Sequence, residues 1–151
     1  MVPLDNDISG IAHVIQLAIA PVFLLTGIAA LLGVMASRLA RIIDRARELE
    51  GRLEGLDAAA TARALTQLAV LVERARLASW AINFCTVAAL LICTDIVTLF
   101  VDAFIGTQLR WLVATLFILT MIALIGGLIS FLREVYLATH TLSIGRYKAK
   151  K

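Results

Sequence analysis

Three long apolar stretches dominate the pattern of hydrophobic and polar positions, and they cover residues 11–36, 77–101 and 111–132. Each stretch holds at least the roughly 20 residues that an α-helix needs to cross a hydrocarbon core about 30 Å thick. Charged residues are nearly absent from the three stretches and concentrate between and after them. The pattern therefore predicts an all-α integral membrane protein with three transmembrane helices.

A narrower apolar pattern continues through residues 37–76, between the first two spans. Its positions are spaced by three and four residues: Leu39, Ile42, Ala46, Leu49, Leu53, then Leu65, Leu68, Val72 and Ala75. This spacing is typical of the seam between two packed helices. Gly51 supplies a turn residue and Asp57 an N-cap. We therefore expect a cytoplasmic antiparallel helical hairpin that extends spans 1 and 2.

The whole chain, residues 1–151, is expected to form a single membrane domain, in which a basic tail at 133–151 follows the third span. Its hydrophobic content of 61% exceeds what soluble domains usually carry. Residues 1–10 contain two acids and no Lys or Arg, whereas a cleaved signal peptide begins with basic residues. We therefore expect the first span to be retained.

The basic residues predict the orientation of the chain. Thirteen of the 14 Lys and Arg residues fall in 37–76 or 133–151, and only Arg110 lies in the second connection. Because Lys and Arg near span ends stay in the cytoplasm, the N-terminus is expected outside and the C-terminus inside. These residues flank spans and alternate with acids, so we expect no nucleic-acid partner. A candidate cytoplasmic basic face contains Arg38, Arg41, Arg45 and Arg47.

Asp95 is an ionisable residue well inside a predicted span, where insertion costs about 2.5–3.5 kcal/mol at the helix centre. On a helical wheel Thr98 and Asp102 share its side of the second span, and His13 and Gln16 lie at a similar predicted depth on the first. Two interpretations of this candidate polar cluster stay open. Its members either hydrogen-bond one another and fix the helices, or border a water-filled vestibule that binds or relays a cation or proton.

Small residues on the third span indicate close helix packing. The candidate packing residues are Ala123, Gly126, Gly127 and Ser130. Residues of this type allow helix backbones to approach closely, and the partner is either another span or a second subunit. Cys85 and Cys93 belong to no CxxC pair and are interpreted as packing residues, so no disulfide or metal site is predicted.

The sequence contains no Gly-rich phosphate loop, no His pair at metal-binding spacing and no nucleophile that the topology places beside a His. We therefore expect neither an enzymatic activity nor a cofactor.

Two segments carry a resemblance to a known family. Residues 11–28 (IAHVIQLAIAPVFLLTGI), followed by 37–47 (SRLARIIDRAR), resemble the opening of the bacterial membrane proteins catalogued as domain-of-unknown-function 2721. Length and three-span layout are similar too. The resemblance implies a small protein of the bacterial inner membrane, and it implies no activity and no catalytic residue.

Two functional hypotheses follow. The first is a homo-oligomer that forms an ion-conducting or transport pathway, with Asp95 or Asp102 selecting cations. The second is a non-conducting scaffold or accessory subunit whose hairpin docks a soluble or membrane partner. Beyond the lipid bilayer, self-association is therefore the expected interaction under the first hypothesis, and a protein partner under the second.

Overall fold

A computed structural model describes residues 4–53, 57–105 and 109–148; the side chains of 4–11, 13, 14 and 140–148 lie outside this description. The described chain consists of three helices and contains no β-strand: α1 (Leu4–Gly51), α2 (Ala58–Ile105) and α3 (Arg110–Lys148). By length and composition, all three are apolar enough to cross a membrane. The predicted all-α fold with three candidate transmembrane helices is therefore confirmed.

The helices begin and end where local chemistry predicts. Helix α1 runs through Pro21 without interruption and ends at Gly51, as expected from the turn residue. Asp57 precedes α2, and its Oδ1 accepts a hydrogen bond of 2.8 Å from the backbone N–H of Ala60. This geometry satisfies one of the unpaired N–H groups of the first turn. The predicted N-cap is therefore confirmed.

The chain forms two compact units. The first unit comprises Met1–Leu32 and Phe84–Ile125. Its buried side chains lie on one narrow stripe of each helix; they are Ala18, Pro21, Ile28, Cys85, Ala88, Ile92, Asp95, Thr98, Thr120 and Ala123. Most other apolar side chains of this unit are exposed, and Phe23 and Trp111 are extreme examples. A lipid environment accounts for this distribution, because lipid tails solvate such side chains.

The second unit comprises Gly33–Asn83 and Gly126–Lys151. Most of its buried residues recur every seven positions along a helix; they are Met35 and Ile42, then Ala64, Leu71 and Ala78, then Gly127 and Glu134, and Ala81 is buried three residues after Ala78. Such a repeat keeps the same stripe of each helix turned towards its neighbours. Alanines dominate the stripe of α2, so that backbones can approach closely there.

The predicted seam of the second hairpin arm is wrong at two positions. Leu65 and Val72 are 52% and 58% exposed, whereas Ala64 and Leu71, each one residue earlier, are buried. A shift of one residue rotates a helix by about 100°. The small side chain of Ala64 faces the neighbouring helices, and the larger Leu65 faces away from them. On the first arm Ile42 is buried as predicted.

Candidate functional site

Asp95 lies on the buried stripe of α2, seven residues after Ala88, and its side chain is only 1% exposed. Its Oδ1 is enclosed, and none of the described residues donates a hydrogen bond to it. Asp95 therefore faces protein, as the cost of placing an acid in hydrocarbon predicts. A buried carboxyl group without a donor is expensive, so its retention calls for a functional or structural reason.

Asp95 lines a cavity of about 780 Å³ in the first unit, which we call the Asp95 cavity. Its polar lining residues are Asp95, Asp102 and Arg110, and the other lining residues are apolar. Leu17 and Pro21 of α1 also line it. Because Pro21 has no N–H, the carbonyl of Leu17 lacks its usual helical donor. The cavity thus brings together the carboxyl group of Asp95 and a residue, Leu17, whose carbonyl lacks its usual helical donor.

Asp102 also lines this cavity, and its carboxyl group binds the residue that precedes α3. Its Oδ1 accepts a hydrogen bond of 2.8 Å from the backbone N–H of Leu109, which precedes α3. Arg110 follows directly and also lines the cavity, and it forms no ion pair within the part of the chain that the structure describes. Arg110 was not among the residues predicted for the polar cluster.

Two other members of the predicted cluster, Gln16 and Thr98, do not line the Asp95 cavity. Thr98 is buried, but its hydroxyl donates to the carbonyl of Thr94 at 2.8 Å on the same helix. Gln16 is exposed and does not line the cavity. The side chain of His13 lies outside the described residues. The structure therefore brings together Asp95 and Asp102 from the predicted cluster.

A second polar centre lies in the second unit and was not predicted from the sequence. Glu134 of α3 is fully buried, and its Oε1 accepts hydrogen bonds from Nη2 and Nε of Arg74 at 2.8 and 3.2 Å. Nη2 of Arg38 lies 3.0 Å from Oε2 as an ion pair without hydrogen-bond geometry. One carboxylate therefore connects α1, α2 and α3, and we call Arg38, Arg74 and Glu134 the ion triad.

Three members of the predicted basic face meet beside the ion triad. Arg38, Arg41 and Arg45 line a cavity of about 320 Å³ together with Arg74, Ile42 and Leu71. We call it the arginine cavity. Arg47, the fourth predicted member, is exposed and does not line it. The predicted face is therefore a cluster of three arginines on α1 that is completed by one from α2.

A family model described as a protein of unknown function (DUF2721) matches residues 18–144. The chain belongs to this family. The match includes the arginine cavity, the whole ion triad and every lining residue of the Asp95 cavity except Leu17. No curated protein and no solved structure matches the chain.

The predicted packing residues of this DUF2721 chain are used within the chain itself. Ala123 and Gly127 are buried, and Gly126 and Ser130 are half-buried. The hydroxyl of Ser130 donates to the carbonyl of Gly126 at 2.9 Å, which satisfies it without a second helix. Buried packing positions require no second subunit to cover them. Among the described residues, no group of three or more His, Cys, Asp or Glu side chains could hold a metal ion.

A signal for Glu134 is present in this DUF2721 sequence. Glu134 is the only acid in residues 103–151, and it lies seven residues after Gly127 and fourteen after Thr120, on the stripe of small and polar residues that α3 buries. A lone acid that continues a buried stripe needs cationic partners.

Proposed function

We propose that the chain is a small homo-oligomeric protein of the bacterial inner membrane, with its N-terminus outside and its C-terminus inside. In this proposal the Asp95 cavity binds a proton or a small cation on a transport pathway. The observation that supports it is the enclosed Oδ1 of Asp95, which lacks a donor from the described residues and belongs to a cavity-lining side chain. No catalytic step and no cofactor are involved.

The chemistry of the cavity favours a cation over an anion. Carboxylate oxygens are ligands that hard cations prefer, and the two acids of the lining, Asp95 and Asp102, outnumber its one cation, Arg110. Asp102 and Arg110 lie near the predicted outer ends of spans 2 and 3 and line the same cavity. In the proposed orientation they border the entrance from the outside.

A complete pathway requires more than one copy. A bundle of only three helices is in general too small to enclose an aqueous route, so we infer that several copies surround the pathway. The exposed apolar faces of α1 and α3 leave room for contacts between copies as well as with lipid.

Flux into vesicles tests this proposal. Asp95→Asn should lower proton or monovalent-cation flux of the reconstituted protein at least about tenfold, since contacts to a charged group are worth about 1.5–3 kcal/mol. The control is Asp44→Asn, the same chemical change at an exposed acid of the predicted hairpin. Particle size should be unchanged in both variants. Flux no higher than in empty vesicles, or equal loss in the two variants, would contradict the proposal.

A second candidate function, a scaffold that docks a partner through the hairpin, is favoured by the exposed face of α2. Apolar side chains recur there at helical spacing and remain uncovered; they are Ala58, Ala62, Leu65, Ala69 and Val72. In the proposed orientation this face lies in the cytoplasm, where lipid does not cover it. A continuous apolar stripe in water is typical of a protein-binding surface.

Cysteine crosslinking separates the two functions. In a chain lacking Cys85 and Cys93, Leu65→Cys should crosslink in native membranes and stay unreactive to an impermeant reagent added outside. Ala64→Cys, one residue earlier and buried, is the control and should crosslink far less. Capture of a second copy supports the homo-oligomer, and capture of a different protein supports the scaffold. Labelling of Leu65→Cys from outside would refute the proposed orientation.

A further inference from the structure

Four guanidinium groups surround the arginine cavity in the second unit. Arg38, Arg41 and Arg45 follow one another at spacings of three and four residues, which places them on one face of α1. Arg74 joins them from α2, and Ile42 and Leu71 form an apolar part of the lining. Arg41 and Arg45 are exposed and Arg38 and Arg74 are partly buried, so an anion can reach the cavity from solvent and meets four like charges there.

The acids of this unit leave most of that charge unbalanced. Glu134 contacts Arg38 and Arg74 and is the one described carboxylate that pairs with a lining residue. Glu48 pairs with Arg52, and Glu73 pairs with Arg76.

Asp44, the acid nearest in sequence to Arg41 and Arg45, is exposed and forms no ion pair among the described residues. Arg41 and Arg45 therefore have no ion-pair partner in the described part of the chain.

Two of the four arginines are held in place by other contacts. Arg74 uses Nε and Nη2 to bind Glu134, which leaves further N–H donors of its guanidinium unused. The guanidinium of Arg38 lies 5.3 Å from the ring centroid of Phe131, at a distance typical of cation–π contact. A cation fixed before its ligand arrives loses less conformational entropy on binding.

We propose that the arginine cavity binds a phosphate group, and that the group belongs to the headgroup of an anionic phospholipid in the inner leaflet. The guanidinium fork matches phosphate oxygens in geometry and charge. Arg38, Arg74 and Glu134 lie within three residues of the predicted inner ends of spans 1, 2 and 3, at headgroup depth. Basic pockets between helices at that depth are suited to anionic headgroups. The proposal does not depend on transport through the Asp95 cavity.

Lipid binding to the purified full chain tests the proposal. Native mass spectrometry in a maltoside detergent would compare phosphatidylglycerol with phosphatidylcholine. The variant Arg41→Gln/Arg45→Gln removes two lining charges that take no part in the ion triad, and phosphatidylglycerol should bind it about thirtyfold more weakly. The control Arg47→Gln/Arg63→Gln removes two exposed charges that do not line the cavity, and its affinity should stay within about twofold of the unmodified protein.

A second experiment measures the binding of inorganic phosphate by equilibrium dialysis. It uses the unmodified protein and the same two double variants. Selective binding of phosphatidylglycerol that Arg41→Gln/Arg45→Gln weakens supports the lipid headgroup. Saturable binding of inorganic phosphate without a preference for phosphatidylglycerol would overturn the lipid assignment in favour of a free phosphate. Equal weakening in the two double variants, or no binding of either probe, would overturn the site itself.

Discussion

Glu134→Ala is expected to lower the free energy of unfolding by about 3 kcal/mol. Removing one partner of a buried ion pair costs about 3–5 kcal/mol because it leaves the other charge desolvated and unpaired. Arg74 and Arg38 keep 20% and 33% of their side-chain exposure, so water compensates in part and the lower end of that range applies. Thermal unfolding of the purified protein in detergent, followed by circular dichroism, measures the loss.

Two comparisons make this measurement specific to the ion triad. Glu48→Ala deletes the same group from an exposed pair with Arg52 and should cost about 0.5 kcal/mol or less. The combined variant Arg38→Met/Arg74→Met/Glu134→Leu removes all three charges, and it should recover most of the lost stability because apolar groups of similar size need no partner. Equal losses from Glu134→Ala and Glu48→Ala would show that the triad contributes little to stability.

Local patterns were sufficient to predict the elements of the fold. A stretch of apolar residues long enough to cross a bilayer has few alternatives to a helix, because unpaired backbone groups are not tolerated in lipid. The end of α1 at Gly51 and the cap at Asp57 are likewise set by residues within one turn of them. These features need no knowledge of what packs against the helices.

The register of α2 could not be predicted in the same way. Two apolar stripes compete between residues 58 and 78, and the one with Leu65 and Val72 is the more hydrophobic. The structure buries the stripe with Ala64 and Leu71. Close approach of helix backbones selects small side chains over hydrophobic ones, and that selection depends on the neighbouring helices. Hydrophobicity counted along one helix therefore identified the wrong face.

The ion triad depends on contacts that are distant in sequence. Glu134 is separated from Arg74 by 60 residues, and no spacing rule within a helix connects them. The position of Glu134 on the buried stripe of α3 identifies it as an acid in need of partners, but its partners follow only from the way the three helices pack. The arginine cavity likewise depends on how the helices pack, because Arg74 of α2 joins three arginines of α1 in its lining.

Asp95 was recognised from sequence as a costly residue, and the structure changes the balance between its two interpretations. A structural role requires donors that fix the carboxyl group between helices. Thr98 donates to its own helix, Gln16 is exposed, and the Oδ1 of Asp95 has no donor among the described residues. We expect an enclosed carboxyl oxygen without a donor to lower stability, a cost that proteins often carry at functional sites.

Asp95→Leu is therefore expected to raise the free energy of unfolding by about 1–3 kcal/mol while abolishing cation flux. Burying a polar group without a hydrogen bond costs about that much in proteins, and an apolar side chain avoids the cost. The adjacent cavity of about 780 Å³ can accept the additional volume of leucine without overpacking.

Thr98→Val is the control for an apolar change on the same buried stripe of α2. It should alter stability by no more than about 1 kcal/mol, since the carbonyl of Thr94 is already the acceptor of a helical N–H. Thermal unfolding in detergent and flux in vesicles would be measured on the same preparations. A clear loss of stability from Asp95→Leu with flux preserved would instead assign Asp95 to helix packing. Replacement by leucine lowers the free energy of unfolding only if the carboxyl group makes a stabilising contact with a neighbour.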